Sequence, residues 1–203
     1  MKILALDFST LRRSAAVLDG ERVLSSITHE PQRAGSPFPL ILQALGEIPR
    51  DQIEAIAIGL GPGSYTGIRS SLAIAQGWNL SKDIPCAGVS STEAIAFAAY
   101  EKGLRGLAEV VIDAQRGEIY SAIYNLTAFS LERPLKILPA PETQTLIGPE
   151  AAKYNPAATI IHPDAASVGQ LAARANHFVS PEHLEAIYLR EPSFVKAPAV
   201  RHA

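Results

Sequence analysis

The segment ILALDFSTLRRSAAVL, Ile3 to Leu18, returns in outline as EVVIDAQRGEIYSAIY, Glu109 to Tyr124. A constant shift of 106 residues lays Asp113 on Asp7 and Ala122 on Ala16. Each copy reads as an apolar strand ending on an aspartate, a short polar turn and a second strand. A repeat of about a hundred residues is too long for a solenoid unit and predicts two related lobes, each an open sheet carrying helices. We place the first lobe at residues 1–104, the second at 105–190 and a tail at 191–203.

The rest of the first lobe follows from local pattern. Asp19-Gly20 between apolar runs predicts a hairpin turn into a third strand, Arg22 to Ile27. Phe38, Ile41, Leu42 and Leu45 recur at helical spacing, giving a first helix ended by Gly46 and Pro49. A buried strand, Ile53 to Ile58, runs into GLGPGSYTGIRSSLAIAQGW, Gly59 to Trp78, a glycine loop feeding a second helix from Tyr65 to Leu80. A short strand at Cys86 to Val89 precedes a third helix, Glu93 to Glu101, capped by Ser91 or Thr92 and stopped at Gly103. The second copy is sparser: a strand near Pro134 to Ile137, another at Thr159 to His162, and a helix from Ala165 to Ala175.

Composition removes several classes of function. With 18 basic and 20 acidic residues the net charge is −2, so no overall field draws the chain to nucleic acid or an anionic membrane. The single cysteine, Cys86, excludes an internal disulfide and reads as a small buried apolar group suited to a reducing compartment. MKILALDFST is too short an apolar run for an export signal, and no stretch approaches the ~20 apolar residues of a membrane span, so we expect a cytoplasmic protein. His29, His162, His177, His183 and His202 show no metal-ligand spacing, and no G-x-S-x-G elbow is present.

Two constellations carry chemistry. Asp7, Ser9 and Thr10, with Asp113 facing them from the second lobe, resemble the phosphate turns of ATPases of the actin, hexokinase and Hsp70 type, in which a carboxylate orders hydrated Mg²⁺. Such turns want glycine beside the aspartate, but Phe8 and Ala114 stand there, which predicts a degenerate nucleotide site. The competing expectation is a kinase-like or phosphatase enzyme using Asp7 and Asp113 with ATP and Mg²⁺. The glycine loop itself is neither a Walker A loop nor G-x-G-x-x-G, and Pro62 removes an N–H a phosphate nest would use. Its helix has two unlike sides: Ile68, Leu72 and Ala75 make a core stripe, whereas Gly67, Ser70, Ile74 and Gly77 form a small-residue ridge where a second helix can come close. That second helix is either the chain's own first helix or a partner's. Tyr65, Arg69 and Trp78, with Phe38, Ile41, Leu42 and Leu45 of the first helix, are residue types that anchor interfaces.

The motifs ILALDFST, GLGPGSYTGIRSSLAIAQG, GVSSTEAIA, VIDAQRGEIYSAIY and YLREPSFVK, in this order, resemble the TsaB (YeaZ) family. The resemblance spans both lobes. It implies an α/β, two-lobed actin-like ATPase (ASKHA, ribonuclease H-like) fold with duplicated mixed sheets flanked by helices. It further implies a non-catalytic subunit that helps form N6-threonylcarbamoyladenosine in tRNA by docking on and activating a TsaD-type catalytic subunit. A TsaE-type ATPase would join that complex and tRNA would be met only through it. Without the catalytic subunit we expect the chain to pair with itself, because an exposed apolar helical surface finds a substitute partner. No cofactor or metal is expected in this chain, with ATP or ADP at the shared interface. The interface implied is the face carrying Phe38, Ile41, Leu42, Leu45, Tyr65, Gly67, Arg69, Ser70, Ile74, Gly77 and Trp78. Where relatives carry a histidine before the first helix, Gly35-Ser36-Pro37 stands here.

Overall fold

The computed structural model describes residues 1–29 and 36–189. Gly35, the 191–203 tail and the end of the YLREPSFVK motif lie outside the described residues. Strands β1 (Lys2–Asp7), β2 (Ser14–Asp19) and β3 (Arg22–Thr28) form an antiparallel meander. Helix α1 (Phe38–Leu45) returns the chain to β4 (Ala55–Gly59), which lies parallel to β1. Helix α2 (Tyr65–Asn79) crosses to β5 (Cys86–Val89), giving the order β3-β2-β1-β4-β5.

After α3 (Ser91–Glu101) the pattern restarts with β6 (Leu107–Asp113), β7 (Ile119–Asn125), β8 (Ser130–Leu138) and β9 (Leu146–Ile147), in the order β8-β7-β6-β9. Again three strands are antiparallel and the fourth pairs parallel to the first. The duplicated mixed sheets flanked by helices are the actin-like arrangement.

Side-chain alternation assigns each face of the first sheet. Leu4, Leu6 and Phe8 join α1 and α2 in one core, whereas Ile3 and Ala5 pack with α3 and α4 (Ala165–Ala175) in another. Helix α3 is buried almost all round because it lies between the two sheets, and its alanines keep it thin enough to do so.

Three expectations need correction. The constant shift fails in the second strand: Ala16 pairs with Ala5 but Ala122 pairs with Val110, one position earlier, because the second turn is a residue shorter. Thr159 makes only an isolated bridge to Ile147, not a strand, and β9 supplies the fourth position instead. The lobe boundary at 105–190 also overreaches, since α4 and the chain after it pack on the first sheet. Val168, Leu171 and Ala172 sit against Ile3 and Ala5, Val179 exchanges two backbone hydrogen bonds with Cys86, and Ile187 donates to the Leu60 carbonyl.

Candidate functional site

The glycine loop lies on the turn that would have met phosphate. A methyl group on Gly59 would overlap the Asp7 carboxylate, one on Gly63 the Ser9 carbonyl, and one on Gly67 the Phe8 carbonyl. Ser64 clamps the contact, its N–H donating to the Ser9 carbonyl at 2.6 Å while its Oγ caps α2 by accepting from Gly67 N–H. Gly63 and Gly67 therefore bring backbone against backbone and Gly59 brings backbone against the Asp7 carboxylate, each a contact within the fold.

Asp7 is closed off as a result. It is 0% exposed, and Oδ1 accepts from the N–H and Oγ of Ser9 while Oδ2 has no hydrogen-bond partner. Burial pushes its carboxyl up from the usual 3.8 to about 6, against the lowering by Ser9, with a small further push from Asp164. Ser9 is buried too, and the Thr10 hydroxyl is held by the backbone of Arg12.

Asp113 stands apart in its own turn. Its carboxylate accepts from the N–H of Gln115 at 2.7 Å and lies 3.9 Å from Lys153, while its N–H donates to Glu150. No hydrogen bond or ion pair joins it to Asp7, Ser9 or Thr10 among the described residues. Mg²⁺-nucleotide does not fit this set: a ligand carboxylate must face water, and Asp7 faces Gly59. Cys86 is also buried, its thiol pushed up to about 11 by desolvation.

The surface feature is a groove between α1 and α2 of about 1,040 Å³, at the upper end of the roughly 300–1,000 Å³ typical of ligand pockets. Phe38, Ile41 and Leu42 form one wall, Ser70, Ile74, Gly77 and Trp78 the other. Proline at the start of α1 suits a first helical turn, where the missing N–H is no loss. Phe38 is 61% exposed and Leu42 49%, so two large apolar side chains face water beside an open helix. A methyl group on Gly77 would meet nothing within 4 Å.

Seven of the eleven residues assigned to the interface thus line one surface, and four do not. Gly67 is buried on Phe8, and Leu45 is buried in the core with Leu4 and Ile56, so neither is available to a partner. Tyr65 and Arg69 lie on another side of α2, where the guanidinium covers the ring and Tyr188 packs beside it at 5.4 Å. Sequence reading missed Ala73, which follows Ser70 by three, and Arg50 and Asp51, which lie in a short turn without periodicity. Lys82 pins that turn by donating to the carbonyls of Asp51 and Ile53.

The family model described as TsaD, tRNA N6-adenosine threonylcarbamoyltransferase, matches residues 38–188. An uncharacterized protein of Mycobacterium bovis is 30% identical over 203 residues, covering 94% of this chain and 92% of that one. The tRNA threonylcarbamoyladenosine biosynthesis protein TsaB of Escherichia coli is 37% identical over 128 residues, 61% of this chain and 55% of TsaB. The match thus spans about half the length of that relative. The solved structure of YeaZ from Pseudomonas aeruginosa superposes with a TM-score of 0.80 at 25% identity, covering 93% of this chain and 99% of that one. Among the described residues no helix is long and apolar enough to cross a membrane, and no group of three histidine, cysteine, aspartate or glutamate side chains is placed to hold a metal.

Proposed function

The chain belongs to the TsaD family of that model and, within it, to the TsaB (YeaZ) group, and from this premise we propose that it serves N6-threonylcarbamoyladenosine formation in tRNA as a non-catalytic docking subunit. It binds a TsaD-type catalytic subunit through the α1/α2 groove and holds that subunit in its active conformation. A TsaE-type ATPase joins the pair, ATP or ADP is met at the composite surface, and tRNA is reached only through the complex. Without its partner the same groove pairs with a second copy, because exposed apolar surface finds a substitute.

The observation that carries this reading is the pairing of an open apolar groove with a closed phosphate turn in one lobe. Helix packing explains the groove's form: a small residue on one helix admits a bulky one from its partner at close range. Gly77 and Ser70 supply the small positions, Phe38 and Trp78 the flanking anchors. The enzyme alternative needs Asp7 to bind Mg²⁺, and its burial speaks against that.

The test is tRNA modification reconstituted from TsaD-type and TsaE-type subunits with and without this chain, alongside ATP turnover by this chain alone. The reading expects modification to depend on the chain while the isolated chain hydrolyses no ATP. Mg²⁺-dependent hydrolysis abolished by Asp7→Ala would overturn it in favour of the enzyme.

A further inference from the structure

A second cavity, of about 230 Å³, opens where four segments meet: the β1–β2 turn, the β3 edge, the C-terminal end of α3 and residues 160–164. Its polar lining comprises Arg12, Ser26, Thr28, Lys102, His162 and Asp164. Three of these side chains are basic, drawn from three different segments, and one is acidic. The one carboxylate, Asp164, is held on α4, its two oxygens accepting from the N–H and Oγ of Ser167 as the N-cap, and Arg12 and Lys102 outnumber it. Arg12 and His162 each make a contact within the fold. Lys102 forms no ion pair among the described residues and is exposed. The α4 N-terminus is not the attraction, because the N–H of Ala165 is taken by Ser14 Oγ.

Positive charge gathered around a recess raises the local concentration of anions, and hydroxyls on the same wall add oriented donors. The volume lies below the roughly 300–1,000 Å³ of sites for drug-sized ligands, so a whole nucleotide does not enter. We propose that this crevice binds a small oxyanion of the phosphate class, with the exposed Lys102 donating N–H groups, the Arg12 guanidinium adding positive charge beside it, and Ser26 and Thr28 donating hydroxyls. The site is separate from the α1/α2 groove and does not depend on docking.

The test is an amide NMR titration of the intact chain with inorganic phosphate at constant ionic strength, chloride being the matched control. Saturable shifts are expected at Ser26, Thr28, Ala98 and Lys102, with Ile74 and Gly77 unmoved. Lys102→Glu should weaken binding at least tenfold and Thr28→Val several-fold, each variant melting like the wild type because both positions are exposed. Parallel titrations with pyrophosphate and AMP separate free phosphate from a terminal phosphoryl group. Shifts that do not saturate, that chloride reproduces, or that survive Lys102→Glu overturn the proposal.

Discussion

Replacing Asp7 by Asn asks whether this carboxyl is a buried structural group or a metal ligand facing solvent. Burial raises its pKa from 3.8 to about 6, so between those values the folded protein holds a proton that the unfolded chain has released. Stability from this group is therefore fully present below pH 3.8 and lost as pH rises through 6. About two pKa units at 1.36 kcal/mol each amount to ~3 kcal/mol across the window. Asn cannot titrate, so this slope disappears in the variant. Any cost of the amide's N–H groups left without acceptors does not vary with pH, which makes the pH dependence of the difference the quantity to read. Glu93 and Glu150, also raised by desolvation, titrate in both proteins and cancel. Urea unfolding at steps from pH 4 to 7.5 should show Asp7→Asn gaining on the wild type by ~2–3 kcal/mol over that range. Parallel curves, or a variant that loses ground as pH rises, would refute the reasoning.

Three other outcomes follow from named contacts. Gly67→Ala drives a methyl into the Phe8 carbonyl and should cost more than ~2 kcal/mol by thermal unfolding, whereas Gly77→Ala, open to space, should gain up to ~1 kcal/mol of helix propensity; equal effects would contradict the two environments. Glu109→Ala strands Arg133, Ser121 and the N–H groups of Glu142 and Thr143 around a fully buried site, and should destabilise by ~3–5 kcal/mol in denaturant melts, while Glu21→Ala at the exposed Arg174 pair should cost ~1 kcal/mol or less. Cys86 should resist a thiol reagent at pH 8 in the folded protein and react fully after unfolding, so that rapid native labelling contradicts its burial.

The repeat made the architecture legible because a strand ending on aspartate and turning back is a local pattern, and both copies keep it. Its one-residue slip was not legible, since an apolar strand aligns equally well in either register until partners are known. Helix α4 was read correctly as a helix, but its attachment was hidden. Gly169 lets it press onto Leu18 and Ala5 of the first sheet, a contact more than a hundred residues away in sequence. Gly67 and Gly77 look alike in the sequence, both small residues on an amphipathic helix. Only the backbone beside each separates them: one is held against Phe8, the other faces open space. The α1/α2 groove was legible as far as side chains of one helix share a face, and it failed at Leu45, whose position at the end of α1 turns it into the core.

Docking through the α1/α2 groove is tested most directly by one binding measurement. Affinity for the TsaD-type subunit of the same organism should be compared between wild type, Ile74→Arg and Gly77→Leu, with unchanged melting as proof of fold. Loss of binding by a hundredfold or more in both variants is the predicted result. Wild-type affinity in both would contradict it and place the contact on another surface.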